Sequence, residues 1–230
     1  MTARIAVFAS GRGSNLQALH AYLERARGVE VVLVASDRPS SGALAWARDR
    51  GIASSTIGSG GDDATAILQL LTASRADCVA LAGYLRLVPA EVVRAYRGRI
   101  LNVHPALLPA FGGPGMYGAR VHRAVLASGA RVSGPTVHFV DEIYDHGAII
   151  AQWPVPVFPA DTEAALAARV LRAEHLLFPR VAHLVASGSI TLSDDGRVTG
   201  AHVSRDRAAF LFATPEDDVL AESMASALGG

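Results

Sequence analysis

Asn102-Val103-His104-Pro105 places an amide and an imidazole two residues apart at the end of an apolar run. In an extended strand, residues i and i+2 project from one face, so both polar groups point together. Pro105 has no N–H for a ladder and stops the strand. A neutral amide beside an imidazole suits reactions at a carbonyl, where one holds a developing oxyanion and the other moves protons. Asp145 stands further along, between Tyr144 and His146. Beside His104 it would favour the imidazolium and raise that pKa. Taken alone, Asn102 and His104 favour slightly a capped strand end whose His is simply hydrogen-bonded.

Other stretches carry binding chemistry. Ser10-Gly11-Arg12-Gly13-Ser14-Asn15 follows an apolar run and opens an amphipathic segment. Glycines let backbone approach an anion, and a helix start supplies free N–H groups. Leu16 stands where a dinucleotide fingerprint needs its third glycine, so a single phosphate fits better than a pyrophosphate. The alternative is an ordinary βα turn capped by Ser or Asn. Gly83 to Val88 follows another apolar run, and Leu85, Leu87 and Val88 could flank a flat ring. The alternative is a capped connection with a solvated Arg86. Glu174 lies in phase with Leu166, Val170, Leu177, Val181 and Leu184, a carboxylate inside an apolar helical stripe. Such a group is costly unless it is paired or lines a site. It could accept from sugar hydroxyls or pair with an Arg. His138, among Thr136, Val137 and Phe139, faces either the site or a polar core partner; a lone strand histidine is more often structural.

The elements that position these groups alternate. Strands are expected at Ile5–Ala9, Val29–Ala35, Ala53–Ile57, Cys78–Ala82 and Ile100–Val103, with helices from Ser14 or Asn15 to Arg27, Gly42–Arg50, Asp62–Ser74 and Ala90–Tyr96. Such alternation requires crossovers and predicts an α/β, doubly wound, Rossmann-like fold, its mainly parallel sheet carrying helices on both faces. Two longer strands, Val132–Val140 and Ile149–Val157, follow, then a helix from Asp161 that ends or breaks near Pro179. Residues 1–187 are read as the catalytic domain. Residues 188–230, polar and irregular with an acidic patch from Thr214, are read as a C-terminal extension rather than a domain.

Composition excludes several classes. Lys+Arg and Asp+Glu are both 21, so no general field gathers nucleic acid. Every basic residue is Arg; the absence of lysine rules out Schiff-base chemistry and a P-loop lysine. Cys78 is the single cysteine, within an apolar strand, so no intrachain disulfide forms. The eight histidines show no zinc-ligand spacing, and no bound metal is expected. Neither a leader-like apolar segment nor a membrane-spanning run is present, which points to the cytoplasm and no membrane partner.

The ordered series Ser10–Ala18, Leu81–Arg86, Asn102–Pro109, Val137–Val140, the Asp145 loop and Glu174-His175 resembles the phosphoribosylglycinamide formyltransferase family over roughly residues 4–186. The resemblance implies transfer of a formyl group from 10-formyltetrahydrofolate, a co-substrate, to the amine of glycinamide ribonucleotide in purine synthesis. It places Asn102, His104 and Asp145 as the catalytic trio. It places Gly13, Ser14 and Asn15 at the nucleotide phosphate and Glu174 at the ribose. Leu85, Arg86, Leu87 and Val88 would contact the folate, together with Asn102 and Asp141. The implied partners are small molecules, and the implied assembly a monomer or homodimer. The glycine-rich stretch Phe111–Arg120 departs from the family pattern, with no basic residue before Arg120. A formyltetrahydrofolate hydrolase and a non-catalytic nucleotide-binding module are the alternative readings.

Overall fold

The apolar runs pair as the alternation predicts. The structure is a computed structural model that describes residues 2–58 and 63–200. Its seven-stranded sheet has the order β3-β2-β1-β4-β5-β7-β8. Strands β1 (Ala3–Phe8), β2 (Val29–Ser36), β3 (Ser54–Thr56), β4 (Cys78–Leu81) and β5 (Ile100–His104) run parallel. Strands β7 (Thr136–Phe139) and β8 (Ile149–Gln152) add antiparallel at one edge.

Both faces are covered, and β1 shows why continuous apolar runs are needed. Ile5, Val7 and Ala9 face one core, while Ala6 and Phe8 face the other. Helices α1 (Ser14–Ala26), α2 (Gly42–Arg48), α5 (Ala119–Ala127) and α6 (Glu163–Ala186) contribute to the first core. Helices α3 (Asp63–Ala73) and α4 (Ala90–Ala95) build the second. From β1 the chain winds outward through β2 and β3, then returns to β4 on the other side of β1. The order therefore reverses between β1 and β4, where open α/β sheets bind ligands beyond the strands' carboxyl ends.

Three expectations are corrected, and one helix is added. Val132–Val140 is not one strand: Val132–Ser133 (β6) leaves the main sheet and pairs instead with Val155–Pro156 (β9). Ile149–Val157 divides likewise between β8 and β9. Pro135 and Pro154 cannot donate to a ladder. Gly134, at φ 141°, passes so close to the Trp153 carbonyl that a Cβ would overlap it. Helix α6 runs through Pro179, because Phe178, Val181, Ala182 and Val185 are buried and packing offsets the lost hydrogen bond. Helix α5 was not anticipated, although Val121 and Val125 sit at helical spacing.

The start of the extension folds onto the body. Strands β10 (Ile190–Leu192) and β11 (Val198–Gly200) form an antiparallel hairpin in which Ile190 is buried in the core. Asp62, the expected start of the Asp62–Ser74 helix, and the acidic patch from Thr214 lie outside the described residues. Among the described residues, no helix is long and apolar enough to cross a membrane.

Candidate active site

Strand β5 aims its chemistry through parity. Ile100, Asn102 and His104 share a face, apolar at the base and polar at the carboxyl end. The antiparallel partner β7 sets His138 opposite Asn102 and Thr136 opposite His104. Directly opposed side chains meet, and Asn102 Nδ2 lies 3.1 Å from His138 Nε2. His138 Nδ1 is 2.8 Å from the Phe139 carbonyl, which can only accept, so Nδ1 carries the proton. Asn102 Nδ2 then meets the Nε2 side of the ring, and the amide sits with its nitrogen toward the cluster.

Asp145 joins this pair from the loop between β7 and β8. Its Oδ1 accepts from Asn102 Nδ2 at 3.4 Å and lies 3.8 Å from His138 Nε2. Its Oδ2 lies 3.5 Å from His104 Nδ1 and accepts from the Gly113 N–H at 2.9 Å. Asp145 holds φ 54°, a left-handed backbone that non-glycine residues adopt at some cost. Nearby, a Cβ at Gly112 would press on Leu108 and Asp145, so only glycine lets that loop approach the carboxylate. Asn102, His104 and Asp145 are thus brought together in one cluster.

The imidazolium expected at His104 is not favoured by its surroundings. Burial pushes its pKa below 6.5, and the opposing pulls of Asp145 and the Phe111 carbonyl do not overcome that. The correction has a simple cause: the side chain is only 4% exposed, and desolvation of a cation exceeds one carboxylate's attraction at 3.5 Å. His104 rests neutral near pH 7. Its Nε2 donates to the Phe111 carbonyl at 2.9 Å, leaving the Nδ1 lone pair toward Asp145. Burial also works against the charge on Asp145, but His138, His104 and the Gly113 N–H together hold its carboxyl below 3.8.

A cavity of about 710 Å³ opens over this cluster, within the range of small-molecule sites. Asn15, Glu174, Leu85, Arg86, Leu87, Val88 and Asp141 all line it. Asn15 Nδ2 donates to Glu174 Oε2 at 2.6 Å. Burial of Glu174 raises its pKa to about 7, against the pull of Asn15. Gly13 caps α1 in the left-handed conformation and packs on Ala43. Gly13 and Ser14 flank the cavity in sequence without lining it. Asp141 is turned onto its own loop, accepting from the Ile143 N–H and bonding His146. Arg86 donates to the Gly58 carbonyl and lies 3.6 Å from Asp63, rather than standing free. Its side chain thus reaches both Gly58 and Asp63.

Sequence reasoning undervalued His138 and missed His122. His138 looked structural because its partners come from another strand and a distant loop. His122, on the unanticipated α5, is 5% exposed and lines the cavity. Its Nδ1 finds no partner among the described residues, and burial lowers its pKa. Among the described residues, no group of three or more His, Cys, Asp or Glu is arranged to hold a metal.

Residues 3–182 match the formyl transferase family. The chain belongs to the formyl transferase family. Within it, the sequence is 43% identical over 199 residues to a phosphoribosylglycinamide formyltransferase, chloroplastic, of Vigna unguiculata, covering 84% of this chain and 64% of that relative. The Arabidopsis thaliana protein of the same name is 44% identical over 200 residues, covering 84% and 68%. The chain thus spans about two thirds of these relatives' length, and slightly less of the first. Among solved structures, glycinamide ribonucleotide transformylase 1 from Symbiobacterium toebii is 38% identical with a TM-score of 0.78, covering 86% of this chain and 93% of that one. That formyl transferase shares the doubly wound sheet described above.

Proposed function

We propose that this formyl transferase moves a formyl group from 10-formyltetrahydrofolate to the primary amine of glycinamide ribonucleotide, as a cytoplasmic monomer or homodimer. The observation that carries the reading is the Asp145 carboxylate, within reach of both Asn102 and His104 in one cavity. The same cavity extends from Asn15 and Glu174 to Leu85–Val88, so it has room for two substrates side by side. The names and chain coverage of the relatives support the same substrates.

The chain's residues divide the work. The Ser14–Asn15 helix start offers N–H groups to the nucleotide phosphate, and Glu174 accepts from ribose hydroxyls. Leu85, Leu87 and Val88 flank the flat ring of the folate. The amine attacks the formyl carbon, forming a C–N bond while the carbonyl electrons move to oxygen. Asn102 gives up its long 3.4 Å bond to Asp145 and turns that N–H onto the oxyanion. Neutral His104 takes the amine's proton, and Asp145 stabilises the imidazolium only as it forms. The oxyanion then reforms the carbonyl, the bond to the folate nitrogen breaks, and the proton passes to that nitrogen. A base that rests neutral and gains affinity during the reaction suits this sequence better than one charged from the start.

The deciding assay follows folate-product absorbance with glycinamide ribonucleotide present and absent. Consumption should require the nucleotide and yield formylated nucleotide in equal amount. Release of free formate, indifferent to the nucleotide, would instead establish the hydrolase.

Gly13 tests the nucleotide end. At φ 81° a side chain is strained, and a Cβ would stand 3.0 Å from the Ala43 Cβ. Gly13→Leu is expected to raise the nucleotide KM by roughly tenfold or more, with the folate KM within about twofold. Equal rises in both constants would mark the loop as a structural turn only.

A further inference from the structure

Ser10 belongs by sequence to the nucleotide loop, yet its side chain points away from that end. Its hydroxyl, on a residue 2% exposed, donates to Asp37 Oδ1 at 2.5 Å and accepts from the Leu85 N–H at 3.0 Å. We propose that Ser10 is a positioning residue for the folate: its hydroxyl, oriented by Asp37, fixes the Leu85–Val88 segment that would hold the folate ring. This rests on the function proposed above.

A serine hydroxyl has one proton to give. The Asp37 carboxylate takes it in a charge-assisted bond, which leaves the oxygen's lone pairs turned toward Leu85. Asp37 comes from the loop after β2, Ser10 from the end of β1, and Leu85 from the loop after β4. One hydroxyl therefore ties the outer loop to the folate segment across the point where strand order reverses. The nucleotide loop does not depend on it. That loop is held by backbone bonds, with the Ser10 N–H donating to Gly83, the Ala43 N–H to Gly11 and the Gln17 N–H to Gly13. Without the hydroxyl, the Leu85 N–H loses its partner in a half-buried place, and the segment can recover a bond only by swinging toward water. Such a swing displaces Leu85, Leu87 and Val88, and leaves Asn15 and Glu174 where they are.

The experiment compares Ser10→Ala with wild type in steady-state kinetics and in calorimetric binding of tetrahydrofolate, the unformylated product. Folate KM and the tetrahydrofolate Kd are expected to rise about tenfold, the scale of one lost hydrogen bond to a half-buried amide. Nucleotide KM should stay within about twofold and kcat within about threefold, because neither contact is touched. Ser10→Thr, which keeps a hydroxyl, should recover most of the folate affinity. Asp37→Ala should show a smaller loss in the same direction, and it serves if Ser10→Ala fails to fold. Equal rises in both substrates' constants, or none, would overturn the positioning role while the transferase reading stands. Wild-type enzyme showing no nucleotide-dependent transfer would overturn that reading and this inference with it.

Discussion

Replacing His104 with alanine is expected to lower kcat by about two to four orders of magnitude, the range for a lost general acid–base group. Asn102→Ala should cost roughly 10²- to 10³-fold, as for one oxyanion donor. The double variant should fall short of the product of the two, since both act on one transition state. Melting temperatures should change little by comparison. Asp145 is better tested as Asn, which tolerates its φ of 54° while removing the charge. The pH profile then discriminates. His104 must be neutral to accept the proton, so kcat falls on the acid side as the pH drops through a pKa held below 6.5 by burial. Asp145 raises that pKa, so Asp145→Asn should move the acid limb to still lower pH while lowering the plateau. An acid limb that moves upward, or near-normal turnover in His104→Ala, would sink this mechanism.

Glu174→Gln should make the protein more stable and a worse enzyme. The folded chain holds the Glu174 proton up to about pH 7, whereas the unfolded chain releases it near the ordinary 4.5. Between those values the native state binds more protons, so stability falls as pH rises through the window and stays low above it. The gap corresponds to roughly 3 kcal/mol. Glutamine removes the charge and can still accept from Asn15 through its amide oxygen. Urea unfolding at pH 8 should therefore show the variant stabilised, with the difference shrinking toward pH 5. Ribose hydroxyls favour the carboxylate, so wild-type nucleotide affinity should tighten as pH rises through 7 and level only above it. The variant should lose about tenfold or more in nucleotide KM and lack that part of the pH dependence. A less stable variant at pH 8, or an unchanged nucleotide KM, would remove Glu174 from the site.

Much of this was legible in the chain. The doubly wound sheet follows from apolar runs alternating with helical segments, because parallel strands need crossovers and burial on both faces. The shared direction of Asn102 and His104 follows from the two-residue strand period, and the odd position of Glu174 from the helical period. Those are local regularities, visible wherever neighbours in sequence are neighbours in space.

Tertiary structure decided the rest. His138 became part of the cluster through an antiparallel register with β5, a pairing that no local pattern encodes. Ser10 reaches Leu85 across 75 positions of chain, and Asn15 reaches Glu174 across 159. Pro179 reads locally as a helix end, yet the buried face of α6 carries the helix past it. The charge state of His104 was the clearest reversal. A carboxylate partner can be guessed from sequence, and its sign of effect was right, but desolvation depends on what surrounds the ring from every side. Spacing set which groups could meet; burial, which exists only once the chain has folded, decided that His104 waits uncharged.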